Sequence, residues 1–190
     1  MAEKTAPKLT VLAGPTAVGK GTVSAYIRKN YPQVWFSVSA TTRDPRPGEV
    51  DGEHYYFTSE EAFDAMVDNR QMLEWAVVHN SYKYGTMRTM VEDALEAGKH
   101  VFLEIDIQGA RQIRNNMPDA QFIFLAPPSW EELVNRLVGR NTETKEEQAA
   151  RLETAKDELA AEVEFDETVI NDEVERAAEE IIALMGLNKK

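Results

Sequence analysis

Gly14-Pro15-Thr16-Ala17-Val18-Gly19-Lys20 places two glycines around four residues and follows the second with a lysine. Glycines at this G-x-x-x-x-G-K spacing let the backbone turn its N–H groups into a concave nest that fits phosphate oxygens. The lysine reaches the outer phosphates of a nucleoside triphosphate. The next position of the pattern is ordinarily Ser or Thr, whose hydroxyl holds Mg²⁺. Here it is Gly21, followed by Thr22, so that role passes to Thr22 or to ordered water. A second constellation lies downstream. Arg43 and Arg46 stand three apart, with Pro45 and Pro47 stiffening the chain around them. Two planar guanidinium groups so placed grip a phosphate through bidentate, charge-assisted hydrogen bonds. Tyr55 can add a hydroxyl.

These residues need a frame. The apolar run Leu9–Ala13 ends at Gly14 and reads as a buried parallel strand, and a helix follows over 22–30, ended by Pro32. Strand, glycine-rich loop and helix in that order form the context a phosphate loop requires, with the helix adding its positive N-terminal end. Further on, alternation predicts a strand over 35–40. Prolines and Gly48 predict a loop over 41–51. A helix over 59–68 is capped by Ser59, a strand covers 73–79, and a helix over 88–97 is closed by Gly98. Buried strands are expected over 100–107 and 121–125, the latter stopped by Pro127-Pro128. A helix over 129–138, a polar mobile stretch over 141–147, and a charged helix over 147–162 come next. On that charged helix Glu146, Glu147, Lys156 and Glu158 are expected in solvent. A short strand at 169–171 and a helix over 173–184 close the chain. Strands alternating with helices imply an α/β architecture, a mostly parallel sheet flanked by helices, as in the P-loop NTPase fold.

Composition excludes several function classes. A formal net charge of −12 argues against a nucleic-acid binder, which carries a basic face. It leaves room for a cleft of converging arginines that holds small phosphates. There is no cysteine, which removes disulfides, thiolate metal sites and cysteine nucleophiles, and suits a cytoplasmic protein. No apolar run approaches the ~18 residues of a membrane span, so no membrane partner is expected. Residues 1–7 read as a flexible arm without a signal-peptide run. His54, His79 and His100 do not cluster and make poor metal ligands. Trp35 and Trp75 are read as packing residues, and the scattered methionines as core filling.

The segment from Ser39 to Tyr55 carries the whole pattern S-x-T-T-R-x-P-R-x-G-E-x-x-G-x-x-Y. On it, and on the phosphate loop, the chain resembles the guanylate kinases, over nearly its whole length from Leu9 to the last helix. That family moves the γ-phosphate of ATP onto GMP with Mg²⁺. The resemblance implies that Ser39, Arg43, Arg46 and Tyr55 hold the GMP phosphate. It also implies that Glu74 reads guanine, that Tyr84 and Thr86 of Tyr84-Gly85-Thr86 contact phosphate and base, and that Asp106 is the second acid of a D-x-D-x-Q-G motif. Guanine suits this assignment, because N1–H and N2–H₂ are adjacent donors that one carboxylate accepts together, whereas adenine leaves that carboxylate unpaired. For ATP, the resemblance implies contacts from Gly14, Pro15, Thr16, Ala17, Val18, Gly19, Lys20, Gly21 and Thr22, with Asn171 near the adenine. Lys20, Arg43, Arg136 and Arg151 are the cations expected around the transferring phosphoryl group. Arg140 either stacks near adenine or contacts phosphate.

Three departures from the family pattern stand out. Glu104 replaces the first Asp of D-x-D. The stretch 79–83 is one residue longer than usual before Tyr84. Asn141 replaces a glycine in the lid motif that begins at Arg136. The implied organisation is one domain in three parts: a discontinuous core (9–38, 87–128, 152–190), a GMP-binding insert (39–86) and a lid (129–151). Two rival readings are a related kinase with another acceptor, such as a ribose bisphosphate, and a non-catalytic binding module with the same fold. An intact loop ending in Lys20 argues against the second. Glu74, Thr86 and Asp106 argue against the first. Nothing in the sequence reports the oligomeric state.

Overall fold

The computed structural model describes residues 8–78, 82–138 and 145–187. Its elements, in chain order, begin with β1 (Leu9–Ala13), α1 (Lys20–Asn30), β2 (Val34–Phe36), β3 (Ala40–Thr41) and β4 (Tyr56–Phe57). Then come α2 (Glu60–Asp68), β5 (Met72–Val78), β6 (Tyr82–Met87), α3 (Arg88–Glu96), β7 (His100–Glu104) and α4 (Ile107–Asn116). The chain closes with β8 (Gln121–Ala126), α5 (Trp130–Val138), α6 (Lys145–Ala160), a 3₁₀ turn (Ala161–Glu164), β9 (Glu167–Ile170) and α7 (Val174–Leu184).

The central sheet has the order β2-β7-β1-β8-β9, and every pair in it is parallel. Its strands read as continuous apolar runs because both faces are covered. Leu9, Val11 and Ala13 pack on one face with Val101, Leu103, Phe122 and Phe124, against α3 and α4. Leu12, Phe102, Ile123 and Leu125 pack on the other, against α1, α5, α6 and α7. A second sheet has the order β4-β3-β6-β5, and α2 seats Phe63 against Ala40 and Met72 beneath it. In β6, Gly85 permits a close crossing, since a Cβ there would stand 2.7 Å from the Glu74 carbonyl oxygen.

Several sequence expectations shift. The strand expected over 35–40 is two strands, β2 in the central sheet and β3 in the second. The chain changes sheets between Phe36 and Ala40. The strand expected over 100–107 ends at Glu104, because the Asp106 side chain accepts the Gly109 N–H at 2.6 Å and starts α4. That helix was not expected, nor were β4 and β6. Helix α6 begins at Lys145, inside the stretch read as polar and mobile, and it ends at Ala160. The Ser59 cap of α2 is present, with its hydroxyl accepting from Ala62 N–H. Gly98 follows α3 with φ 76°, the conformation expected of a helix-terminating glycine. Residues 1–7, His79, Asn141 and the Arg140 assignment lie outside the described residues, as do the side chains of Glu146 and Glu147. Among the described residues no helix is long and apolar enough to cross a membrane.

Candidate active site

The phosphate loop leaves the carboxyl end of β1, where ligands of parallel α/β sheets bind. Gly14 tucks under β8: a Cβ there would meet the Leu125 carbonyl oxygen at 2.4 Å. Gly19 adopts φ 101° just before α1, and a Cβ on it would meet Asn171 Nδ2 at 2.6 Å. Both glycines are therefore required by backbone shape and by close neighbours. Asn171 donates from Nδ2 to the Val18 carbonyl at 2.8 Å, and Arg136 donates from its guanidinium to the same oxygen at 3.0 Å. Arg136 also donates to the Asn171 carbonyl at 3.3 Å and pairs with Glu132. Gly19, Arg136 and Asn171 line a cavity of about 380 Å³ with Ala17, Thr22, Asp172 and Val174. Lys20 Nζ donates to the Gly14 carbonyl at 2.6 Å and the Pro15 carbonyl at 3.3 Å. Burial lowers its ammonium below the ordinary lysine value, opposed by the charges of Glu158, Glu104 and Asp106.

Glu158 corrects the sequence reading. Expected in solvent on a charged helix, its carboxylate instead accepts the Thr16 N–H at 2.7 Å and the Thr16 hydroxyl at 3.4 Å. Helix α6 thus touches the phosphate loop across 142 residues of chain. Lys156, two residues earlier, is exposed as expected and pairs with Glu153. Arg151 is half-buried on α6.

The second sheet carries the other constellation. Arg43 follows β3 and is buried. Its guanidinium donates to Tyr84 Oη at 3.1 Å, to the Asp44 carbonyl at 2.6 Å and to Glu49 Oε1 at 2.9 Å. It also lies 5.4 Å from the centre of the Tyr55 ring. Glu49 in turn accepts the Arg46 N–H at 2.7 Å, so one carboxylate shapes the turn that carries both arginines. That partnership holds Glu49 below the usual carboxylate range, chiefly through the Arg43 hydrogen bond. Arg46 itself is exposed. The Ser39 carbonyl accepts the Tyr56 N–H at 2.9 Å, tying β3 to β4. Despite the longer spacing before it, Tyr84 pairs with Ala76 and reaches Arg43.

Glu74 sits on β5 opposite Thr86, only 8% exposed. The Thr86 hydroxyl donates to its Oε1 at 2.6 Å. Burial pushes Glu74 up to about 7; the Thr86 hydrogen bond works against this, and the neighbouring charge of Asp106 adds to it. Gly109 gives the carboxylate room, since a Cβ there would lie 3.1 Å from Glu74 Oε2 and 3.2 Å from Asp106 Oδ1. Asp106 is the electrostatic link between the two constellations, because its charge acts on both Glu74 and Lys20. It opens onto a cleft of about 400 Å³ shared with Gln108, Arg111, Thr154, Asp157 and Glu158.

Residues singled out in the sequence therefore fall into two groups. Lys20, Arg136 and Asn171 surround the phosphate loop, and Arg43, Tyr55, Tyr84, Glu74 and Thr86 belong to the second sheet and its flanking turn, with the charge of Asp106 acting on a member of each. Sequence reading missed Glu49 and Glu158. Glu49 had a signal, as the acid that the pattern R-x-P-R-x-G-E fixes after the two arginines. Glu158 had none, because its partner is remote in the chain. Among the described residues no three His, Cys, Asp or Glu side chains group as a self-contained metal site.

A parallel sheet ordered this way, a phosphate loop on its first strand, and a second sheet bearing an arginine and a buried acid define a P-loop kinase of the nucleoside monophosphate type. The family pattern described as guanylate kinase matches residues 6–186. Guanylate kinase from Leifsonia xyli is 64% identical over 177 residues, spanning 93% of this chain and 70% of the relative. That from Streptomyces coelicolor is 58% identical over 181 residues, covering 95% and 91%. The crystal structure of guanylate kinase from Anaplasma phagocytophilum superimposes with a TM-score of 0.72 at 31% identity, covering 95% of this chain and 85% of that one. The chain belongs to the guanylate kinase family.

Proposed function

We propose that this chain transfers the γ-phosphoryl group of ATP to GMP, giving ADP and GDP, and that the phosphate-loop group holds ATP while the second-sheet group holds GMP. The observation that carries the acceptor assignment is the buried Glu74 carboxylate, oriented by Thr86 and spaced by Gly109. With Oε1 taken by one donor, the pair of oxygens still accepts guanine N1–H and N2–H₂, because each oxygen has two acceptor sites. Adenine offers N1 as an acceptor instead, which leaves a desolvated carboxylate unpaired.

Arg43, Arg46, Ser39, Tyr55 and Tyr84 then neutralise and orient the GMP phosphate, whose oxygen attacks the γ-phosphorus of ATP in line. The bond to the ADP oxygen breaks as the new one forms, and no enzyme intermediate is needed. Loop amides and Lys20 stabilise the β- and γ-oxygens, while Arg136 and Arg151 add positive charge from the lid side. Asn171 lines the adenine side of the cavity. Arg140 contributes to adenine or phosphate. The segment 39–86 acts as the insert and 129–151 as the lid, and their approach to the core aligns the reactants and excludes water.

Mg²⁺ fits this donor set. A cation that binds mostly through substrate phosphates and water needs only one or two protein oxygens. Gly21 leaves space there, with Glu104 Oε1 3.7 Å from where its Cβ would stand, and Thr22 lies next in the chain. Thr22, Glu104 and Asp106 would hold the ion or its waters. The ion would neutralise charge on the β- and γ-phosphates.

The test is ADP formation from ATP and Mg²⁺ with GMP, AMP, CMP or UMP as sole acceptor, in the wild type and in Glu74→Gln. The expected result is a strong GMP preference that falls by about 10²-fold in the variant, since the amide opposes one guanine donor with its own NH₂. Equal use of all four acceptors by the wild type would sink the assignment. Absence of turnover in folded protein would favour a binding module instead.

A further inference from the structure

Resting on the reading of Glu74 as the guanine acceptor, we infer that Gln112 and Asn116 are positioning residues for base recognition: from α4 they complete the open edge of β5 on both sides of Glu74. Among the described residues β5 pairs only with β6 in the second sheet, so its other side would present unpaired N–H and C=O groups. Helix α4 meets that side. Gln112 Oε1 accepts the Trp75 N–H at 3.1 Å, and Gln112 Nε2 donates to the Trp75 carbonyl at 2.9 Å. One side-chain amide thereby reproduces both hydrogen bonds that a neighbouring strand would make to one residue. Asn116, one turn along the same helix face, donates from Nδ2 to the Leu73 carbonyl at 2.7 Å. Its Oδ1 accepts from Arg88 at 3.3 Å, which fixes the direction in which the amide points.

Leu73 and Trp75 are the two neighbours of Glu74, and β6 alone does not hold this stretch evenly. The β5–β6 register shifts between Met72 and Glu74. The helix-borne amides pin the chain on either side of that irregularity. The same helix starts with Asp106 as its cap and carries Gly109, the residue that makes room for Glu74 Oε2. The base-reading carboxylate is therefore oriented from α4, a helix packed on the central sheet, as well as from its own sheet.

The experiment is steady-state kinetics of the full chain with Gln112→Met, Gln112→Glu, Asn116→Leu and Glu74→Gln, with melting temperature measured for each. Gln112→Met keeps length and removes both hydrogen bonds. It should raise KM for GMP and lower the GMP-over-AMP preference about tenfold, since small misplacements of an aligning group cost this much or more. KM for ATP should stay within about twofold, which a general loss of structure would not allow. Gln112→Glu keeps an acceptor for the Trp75 N–H but sets an oxygen against the Trp75 carbonyl, so it should lower the preference as well. An unchanged preference in folded Gln112→Met, beside a lost preference in Glu74→Gln, would overturn the inference and leave the base-reading role standing. An unchanged preference in Glu74→Gln would overturn both. Should Gln112→Met fail to fold, Asn116→Leu and Gln112→Glu decide by the same criteria.

Discussion

The phosphate loop and the proposed acceptor site are both assigned to anions, but they are built from different materials. The loop uses main chain. Its shape depends on glycines pressed against Leu125 and Asn171, and its single cation, Lys20, is tied to loop carbonyls. The acceptor site uses side chains on a small, mostly antiparallel sheet: Arg43 with Glu49 and Tyr84, and Glu74 with Thr86. Backbone amides recognise any phosphate, so the loop serves a common substrate with little selectivity. Side-chain acids and guanidinium groups carry fixed donor and acceptor patterns, so the second site can choose. The price of choosing is a buried carboxylate, which the loop avoids altogether.

The largest expected effect comes from removing the one side-chain charge of the loop. Lys20→Met should lower kcat by about 10²–10³-fold, the loss typical when one donor to a developing charge is removed. KM for GMP should change little. A comparable rise in KM for GMP would show that the loop and the acceptor site act together on GMP.

The pH dependence sharpens the same contrast, because only the acceptor site contains a strongly displaced acid. Glu74 titrates near 7 when buried, against 4.5 ordinarily. The native state therefore holds more protons than the unfolded one between those values, and stability falls as pH rises through that window. The contribution is fully present below about 4.5 and lost by about 7. Guanine binding has the opposite demand, since only the ionised form accepts both donors. KM for GMP should rise about tenfold from pH 8 to pH 6, in part through titration of the GMP phosphate itself near pH 6. Glu74→Gln should retain the phosphate contribution and lose the rest. An identical profile in wild type and variant would remove the acid from the account.

The smallest expected effect probes where the loop leaves its main-chain character. Glu158→Ala deletes the side chain that accepts from Thr16. Because water can reach this half-buried site, the loss of stability should be only about 1 kcal/mol. KM for ATP should rise severalfold, with KM for GMP unmoved. Unchanged melting and ATP kinetics would mean that the loop is self-sufficient.

Legibility in the sequence followed how distinctive the local residue pattern is. The phosphate loop, the arginine turn and the Ser59 cap were readable because each is decided within a few residues, by glycine conformations, proline restriction or a local side-chain acceptor. Helix α4 was missed because Ile105-Asp106-Ile107 continues the apolar run of β7. The bond from Gly109 N–H to Asp106 starts the helix there. Strands β4 and β6 were missed because β4 has only two residues, paired with β3, and β6 carries a polar sequence without apolar alternation, although most of its pairing is with the adjacent β5.

Residue types and their spacing settle the phosphate loop, the alternation of strands and helices, and the family to which the chain belongs. Tertiary structure decided that Glu158 leaves solvent for Thr16, that Gln112 supplies the missing edge of β5, and that Asp106 acts on both Lys20 and Glu74. It also decided that Glu74 is displaced towards neutrality. The physical reason is common to all of these. Residue spacing governs the local backbone, whereas the partner of a side chain and the solvent left around it depend on how distant elements pack.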